Sequence, residues 1–267
     1  MGSQSRPRFK LTNAPLVLVV AQLKISPIVS VEKFVPEVQE RFRHAGFPRY
    51  RKDQIPELRV DLGSMPRIET LDRYEFQDKD ARTGIVLTPY SIILQTSRYD
   101  HFHVFHAQFR TALGVIGDTL KISLRERLGM RFVNAIYPEP AEEIHDYVHE
   151  GLLGLNPSSV GVKAWNFQSQ FLGGTDVGTL MIKVSGTPGG GFLPPDLTPS
   201  TLTLSQIRTG QSPTILDFDH FLEQSADYNS EEVLKLLNDL HTALDRAFLT
   251  SVTKGALQKW GYQSLET

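Results

Sequence analysis

The sequence has no cysteine. That absence excludes a structural disulfide, a thiolate nucleophile, an iron–sulfur cluster and any cysteine-ligated zinc site. Long apolar runs are missing too: none approaches the roughly 20 residues that a membrane-crossing helix needs. The first eight residues also lack the apolar centre of a secretory leader. The expectation is a cytoplasmic protein with no membrane partner. Motifs that commit a chain to one chemistry are absent as well. There is no Gly-x-Ser-x-Gly, no His-Glu-x-x-His and no Gly-Lys-Ser/Thr to cradle a phosphate. No cofactor is therefore expected, no metal, and no catalytic residue.

What is present is an ordinary globular composition, with 267 residues, 40% hydrophobic and 22% charged, long enough to bury a core without covalent staples. The net charge of −2 hides an asymmetry. Residues 1–70 carry a balance of +5 and the remainder −7. Such a split suits a basic face for an anionic partner, and equally two oppositely charged halves, or two subunits, that meet.

Periodicity supplies the elements. Residues 16–25 (LVLVVAQLKI) are rich in branched side chains and stop at Pro27, which predicts a strand. Val31, Phe34, Val35, Val38 and Phe42 then recur at helical steps, with Ser30 as the N-cap and Gly46 past the end. Extended segments are predicted at 57–62, 67–76, 85–88 and 90–96. A helix capped by Asp100 comes next, with Phe102, Phe105, Phe109, Leu113, Ile116 and Leu120 on one stripe. The order then runs again: a strand at 128–137, a helix at 141–152, extended segments at 160–171, 179–184, 202–207 and 215–218, and a long helix from Ser230 to Ser251. The predicted class is α+β, built from duplicated strand–helix–antiparallel strands–helix units, with long helices packed on the sheet in a saddle-like or helix-grip-like arrangement. The corresponding division is a flexible arm at 1–12, a first unit at 13–122, and a second unit at 123–267 carrying the C-terminal helices. Residues 186–200, dense in Gly and Pro, read as a mobile surface loop.

Three short stretches carry a resemblance: Asn13-Ala14-Pro15-Leu16 running into Val19 and Gln22; the central Leu128-Gly129-Met130-Arg131-Phe132-Val133-Asn134; and Leu240-His241 with Phe248, Thr253 and Trp260. In this order and over nearly the whole chain they resemble a sporadically distributed prokaryotic protein family of uncharacterised function. The chain departs from that pattern after the central asparagine, where Ala135 stands in place of a basic residue. The resemblance implies a soluble cytoplasmic protein of patchy distribution, as found in mobile-element or antiviral defence neighbourhoods. It implies no particular activity.

Among candidate sites, Asp100, His101, His103 and His106 are dense enough to suggest a metal. On a helix, however, His103 and His106 stand beside Arg110 while His101 lies about 200° away, which reads as a solvated face. Asp217 and Asp219 lie two apart on a strand and share a face; they are expected to end the strand and cap the next segment. Arg131 and Asn134 lie on opposite faces of the central strand, and Arg131 is expected to pair with a helix acid or to clamp an anion. His241 reads as a core histidine bonded to a carbonyl. The main candidate binding residues are Arg41, Arg43, Arg49, Arg51 and Lys52, clustered around Tyr50, together with Arg131. The leading functional expectation is a non-catalytic binding or interaction protein whose partner is another protein or a second copy. The alternatives are a nucleic-acid, especially RNA, binder using the basic N-terminal face, and an enzyme with acidic residues in a groove.

Overall fold

A computed structural model describes residues 9–59, 67–155, 161, 166–187, 189–197, 201–204, 206–208 and 210–265. In chain order the elements are β1 (Phe9–Leu11), β2 (Leu16–Ile25), α1 (Val35–His44), β3 (Arg49–Arg59), β4 (Arg67–Gln77), β5 (Thr83–Thr88), β6 (Ser91–Thr96), α2 (Phe102–Leu120), β7 (Leu124–Ile136), β8 (Phe167–Gly174), β9 (Thr179–Gly186), β10 (Thr214–Asp227), α3 (Ser230–Ser251), α4 (Lys254–Lys259) and β11 (Tyr262–Ser264). Nine strands form one antiparallel sheet in the order β3-β4-β5-β6-β2-β7-β10-β9-β8, and β1 pairs with β11 in a separate ribbon. The fold is thus mixed α+β, with the helices packed on a large antiparallel sheet. The stretches 13–122 and 123–267 share that sheet, because β2 pairs with β7 at its centre. Outward from this pair, the strands run β6, β5, β4, β3 on one side and β10, β9, β8 on the other.

The core forms where helical stripes meet alternate strand positions. From β2, Val19, Ala21, Leu23 and Ile25 point toward the helices, and from α2 the buried Phe105, Phe109, Leu113 and Ile116 meet them. Full burial of each such side chain contributes roughly 1.5–3 kcal/mol relative to exposure. Asn229 caps α3 as its side chain accepts from the amides of Glu231 and Glu232 at 3.0 and 3.1 Å, and those two acids sit where the helix dipole favours them. At the end of α1, Gly46 adopts a φ of 95° and the Phe47 amide closes on the Phe42 carbonyl at 2.9 Å.

Several expectations are corrected. Residues 141–152 do not form an α-helix but two 3-10 turns, Ile144–Asp146 and Glu150–Leu152. Val148 bridges to Val252, and the amides of His149 and Thr253 bond the carbonyls of Ser251 and Tyr147. That pairing holds the backbone extended between the turns. As a result no α-helix lies between β7 and β8 among the described residues. Ser30 precedes a 3-10 turn and makes no side-chain cap, and α1 starts instead after Phe34 with Pro36 in its first turn. Helix α2 starts after His101, while Asp100 accepts from Lys10 at 3.0 Å. Strand β3 begins at Arg49, well before 57, and β10 runs on to Asp227, so Asp217 and Asp219 lie inside a strand. The described part of 202–207 is not a strand, and most of 160–166 lies outside the described residues.

The Gly/Pro-rich segment also packs. Its Leu193, with Leu202 beyond it, is buried against Val17, Leu18, Val20, Val133, Ala135 and Ile215 on the sheet face opposite the helices. The Thr203 amide donates to Ala81 at 2.7 Å, and the Ser97 hydroxyl donates to the Thr203 carbonyl at 2.6 Å. Gly and Pro leave a single 3-10 turn, Pro195–Leu197, between Thr187 and Leu197 among the described residues, and Leu193 still buries its hydrocarbon.

Candidate functional site

Strand alternation sends two chemistries to the two faces of the sheet. Toward the helices β7 places Leu128 and Met130, β10 places Leu216 and Phe218, and β6 places Ile92 and Leu94. The other face carries no α-helix among the described residues and is termed the open face. There the same strands place Arg127, Gly129 and Arg131, then Asp217 and Asp219, then Ile93 and Gln95. With Gln22 and Lys24 from β2 and Arg73 from β4, these residues apart from Asp217 line a groove of about 820 Å³, walled on one side by Pro195, Asp196 and Leu197.

Gly129 organises its centre. A Cβ at this position would sit 2.8 Å from the Arg127 guanidinium, so glycine lets that side chain lie across β7. The cross-strand neighbours of Gly129 are Gln22 on β2 and Phe221 on β10. Arg127 uses both: Nη1 donates to Gln22 Oε1 at 3.1 Å, and the guanidinium lies 4.4 Å over the Phe221 ring. The carboxylates of Asp219 and Glu223 stand off at 3.5 and 3.6 Å, too far for good hydrogen bonds. Among the described residues, most donors of Arg127 therefore remain uncommitted at the edge of an open groove.

Arg131, four residues further along β7 on the same face, is committed. Its Nε and Nη2 grip Asp217 at 2.8 and 2.7 Å, and Nη1 and Nη2 reach Asp196 in the wall. Asp217 is 1% exposed and Arg131 12%. Burial pushes the Asp196 carboxyl up, but the Arg131 hydrogen bond and charge hold it below its ordinary value. Burial pushes the Asp219 carboxyl up and wins, although Arg127 and Arg131 pull the other way. Toward β4, Glu75 is fully buried and its Oε1 accepts from Gln95 at 2.8 Å and from the Thr201 hydroxyl. Arg73 donates to Asp53 at 3.1 Å and approaches Glu75 at 3.7 Å. Arg73 Nε and Glu75 Oε2 are buried with no hydrogen-bond partner among the described residues.

Of the residues singled out in the sequence, Arg131, Asp217 and Asp219 come together on the open face. The partners of Arg131 are a strand acid and a loop acid, not the expected helix acid. The basic cluster is dispersed. Arg41 reaches across to α2, donating to the Val115 carbonyl, the Thr119 hydroxyl and Asp118 at 3.0–3.1 Å. Arg43 pairs with Glu40, whose carboxyl its hydrogen bond lowers to about 2 despite some opposing desolvation. Arg51 pairs with Asp53 at 2.6 Å, and Lys52 with Asp72 at 2.8 Å. Arg49 is exposed on β3. His101 and His103 stack at 5.5 Å, His106 meets the Leu234 carbonyl, and no group of three metal-capable side chains exists among the described residues. His241 is buried, as expected, and its ring meets the Tyr99 hydroxyl at 3.0 Å and Asp245 at 3.3 Å.

The residues of the three short stretches divide in the same way. Gln22, Gly129 and Arg131 meet in the groove. Others support the end of the sheet: Asn134 donates to the Leu216 carbonyl, the Asn13 amide bonds Trp260, the Ala135 amide bonds Pro15, and Thr253 caps α4. Sequence reasoning missed Arg73, Gln95, Arg127 and Asp196. The alternation Arg127-Leu128-Gly129-Met130-Arg131 was the available signal for one of them. No protein-family model matches the chain, and no curated protein matches it.

Proposed function

We propose that the protein is a non-catalytic binding protein that takes an anionic ligand in the groove of its open face. The observation that carries this reading is Arg127, a guanidinium 16% exposed, laid over a glycine and held by one amide and one ring, with no carboxylate in close hydrogen-bonding contact among the described residues. The charges along the lining, Lys24, Arg73, Arg127 and Arg131 against Asp196 and Asp219, favour an anion. Val20, Val86 and Ile93 between these groups suit an apolar portion of the ligand, and the volume lies in the range of small-molecule sites. Asp217, the acid an enzyme would use beside Asp219, is bound to Arg131, which favours a binding role over catalysis.

The strand order that mirrors about the β2–β7 pair supports a duplicated ancestry in which the helices grip one face and the groove occupies the other. The nucleic-acid alternative draws less support, because Arg41, Arg43, Arg51 and Lys52 each already meet a carboxylate.

Calorimetric titration with inorganic phosphate, a short dicarboxylate and a nucleoside monophosphate tests the reading, on the wild-type chain and on Arg127→Gln. At least one of these anions is expected to bind, and Arg127→Gln to weaken it tenfold or more. Binding to none of them, or binding that ignores Arg127, overturns it.

A further inference from the structure

The two edges of the sheet differ in chemistry. β3 carries Arg49, Arg51, Lys52 and Asp53 and contains Pro56, which has no amide to donate; charge and proline are the usual devices against pairing with another chain. β8, at the far edge, reads Phe-Gln-Ser-Gln-Phe-Leu-Gly-Gly with no charge and no proline. Among the described residues no strand pairs with its outer side. Phe171 and Leu172 are 53% and 58% exposed.

The first five residues of β8, Phe167-Gln168-Ser169-Gln170-Phe171, read the same in both directions. We infer that β8 pairs antiparallel with β8 of a second copy of the chain about a two-fold axis through Ser169, joining two sheets into one. In that register Phe167 faces Phe171 of the second copy, Gln168 faces Gln170, and Ser169 faces Ser169. The pairing of β8 with β9 fixes the faces: Ser169 and Phe171 sit opposite Val184 and Ile182, which point into the helix-side core. The phenylalanines therefore meet on the helix side and the glutamines on the open side. Cross-strand aromatic pairs and amide pairs each stabilise an antiparallel ladder.

The helix side of this edge is prepared for such a contact. Phe171, Leu180 and Ile182 line an apolar groove of about 720 Å³ between the β8–β9 hairpin and α3. A two-fold copy brings its own rings to the lip of that groove, and the same patch serves both subunits, as a closed isologous dimer requires. An unrelated strand would supply neither the matched rings nor the matched amides.

The register makes the inference testable with substitutions at exposed positions. Sedimentation velocity over a concentration series is expected to show a reversible dimer of the full-length chain. Gln168→Lys with Gln170→Lys sets lysine against lysine at both open-side pairs and is expected to weaken the dimer at least tenfold. Gln168→Lys with Gln170→Glu sets lysine against glutamate in this register alone and is expected to preserve it. Because the chain has no cysteine, Ser169→Cys gives a second readout. Opposed Cα atoms in an antiparallel pair lie about 4.5–5.5 Å apart, within disulfide reach. Mild oxidation should then yield a cross-linked dimer. A wild-type chain that stays monomeric overturns the inference. So does a dimer indifferent to the two lysines, equal loss in both double variants, or a dimer that Ser169→Cys fails to cross-link.

Discussion

On the helix side of the central strands, Val19, Ala21, Leu23, Leu128, Met130 and Leu216 are hydrocarbon; one residue along each strand, on the open side, stand Gln22, Arg127, Arg131, Asp217 and Asp219. The two faces share a backbone and differ in what they do for it. The helix side has three long elements to bury against and gains its stability from area. The open side is covered only in part, by the leucines of the Gly/Pro-rich segment, and between them it buries charge. Replacing a buried ion pair with hydrocarbon is commonly neutral or stabilising, so folding alone does not call for guanidinium groups in the middle of a sheet. The residues least useful for stability thus mark the candidate site.

The largest effect should come from the helix side. Phe109→Ala empties a fully buried position between α2 and the sheet and is expected to cost about 3–5 kcal/mol in urea unfolding. A loss well under that would break the contrast by showing that the helix layer packs loosely. Next comes Asp217→Ala, which leaves Arg131 in the groove with only the exposed Asp196. Removing one partner of such a pair costs about 3 kcal/mol. Converting Arg131→Met in the same chain should recover most of it, since no buried charge is then left alone. If the double variant is no better than the single, the pair stabilises the open face beyond mere compensation, and the two faces draw their stability from more similar sources.

The helix side was also the legible side. The stripe of α2 and that of α3 are long and regular, and α3 runs from Ser230 to Ser251 as its spacing predicts. β2 declares itself by its branched residues. Short or interrupted patterns misled: Ile144 and Val148 share a helical face, yet Gly151 and the pairing with Val252 take the backbone elsewhere. The charged start of β3, Arg-Tyr-Arg-Lys-Asp-Gln, reads as a loop until its partner Asp72–Gln77 is in place. The groove was legible at Arg131, the cation flanked by apolar neighbours, and at Asp219, which strand alternation sets on one face with Asp217. Arg73, Arg127, Asp196 and Gln95 lie on separate strands or loops, and their convergence depends on the strand order, which periodicity within one segment does not encode.

Arg127→Gln should separate function from fold. Its guanidinium gives up one amide bond, one ring contact and two long carboxylate contacts, so the stability change should stay within about 1 kcal/mol. The anion affinity falls tenfold or more. A large loss of stability with unaltered affinity would make Arg127 part of the scaffold and remove the main distinction between the faces.

The smallest effect is expected at Asp219, and its sign is the informative part. Burial raises this carboxyl above its unfolded value, so the folded chain holds the proton more tightly than the unfolded chain does. Stability linked to this group is greatest in acid, below the ordinary aspartate range near pH 4, and is lost as the pH rises through the raised folded value. Once ionised, the carboxylate is therefore a net cost, offset only in part by Arg127 at 3.5 Å. Asp219→Asn removes the titration and keeps the shape. Calorimetric melting from acid to neutral pH should show the two chains alike in acid and the variant gaining as the pH rises, by a few degrees at most, a shift of about 2–4 °C corresponding to roughly 1 kcal/mol at this size. A variant that melts lower at neutral pH would mean that the carboxylate stabilises the open face through Arg127. The groove would then be a self-satisfied ion network, without the surplus of positive charge that an anionic ligand requires.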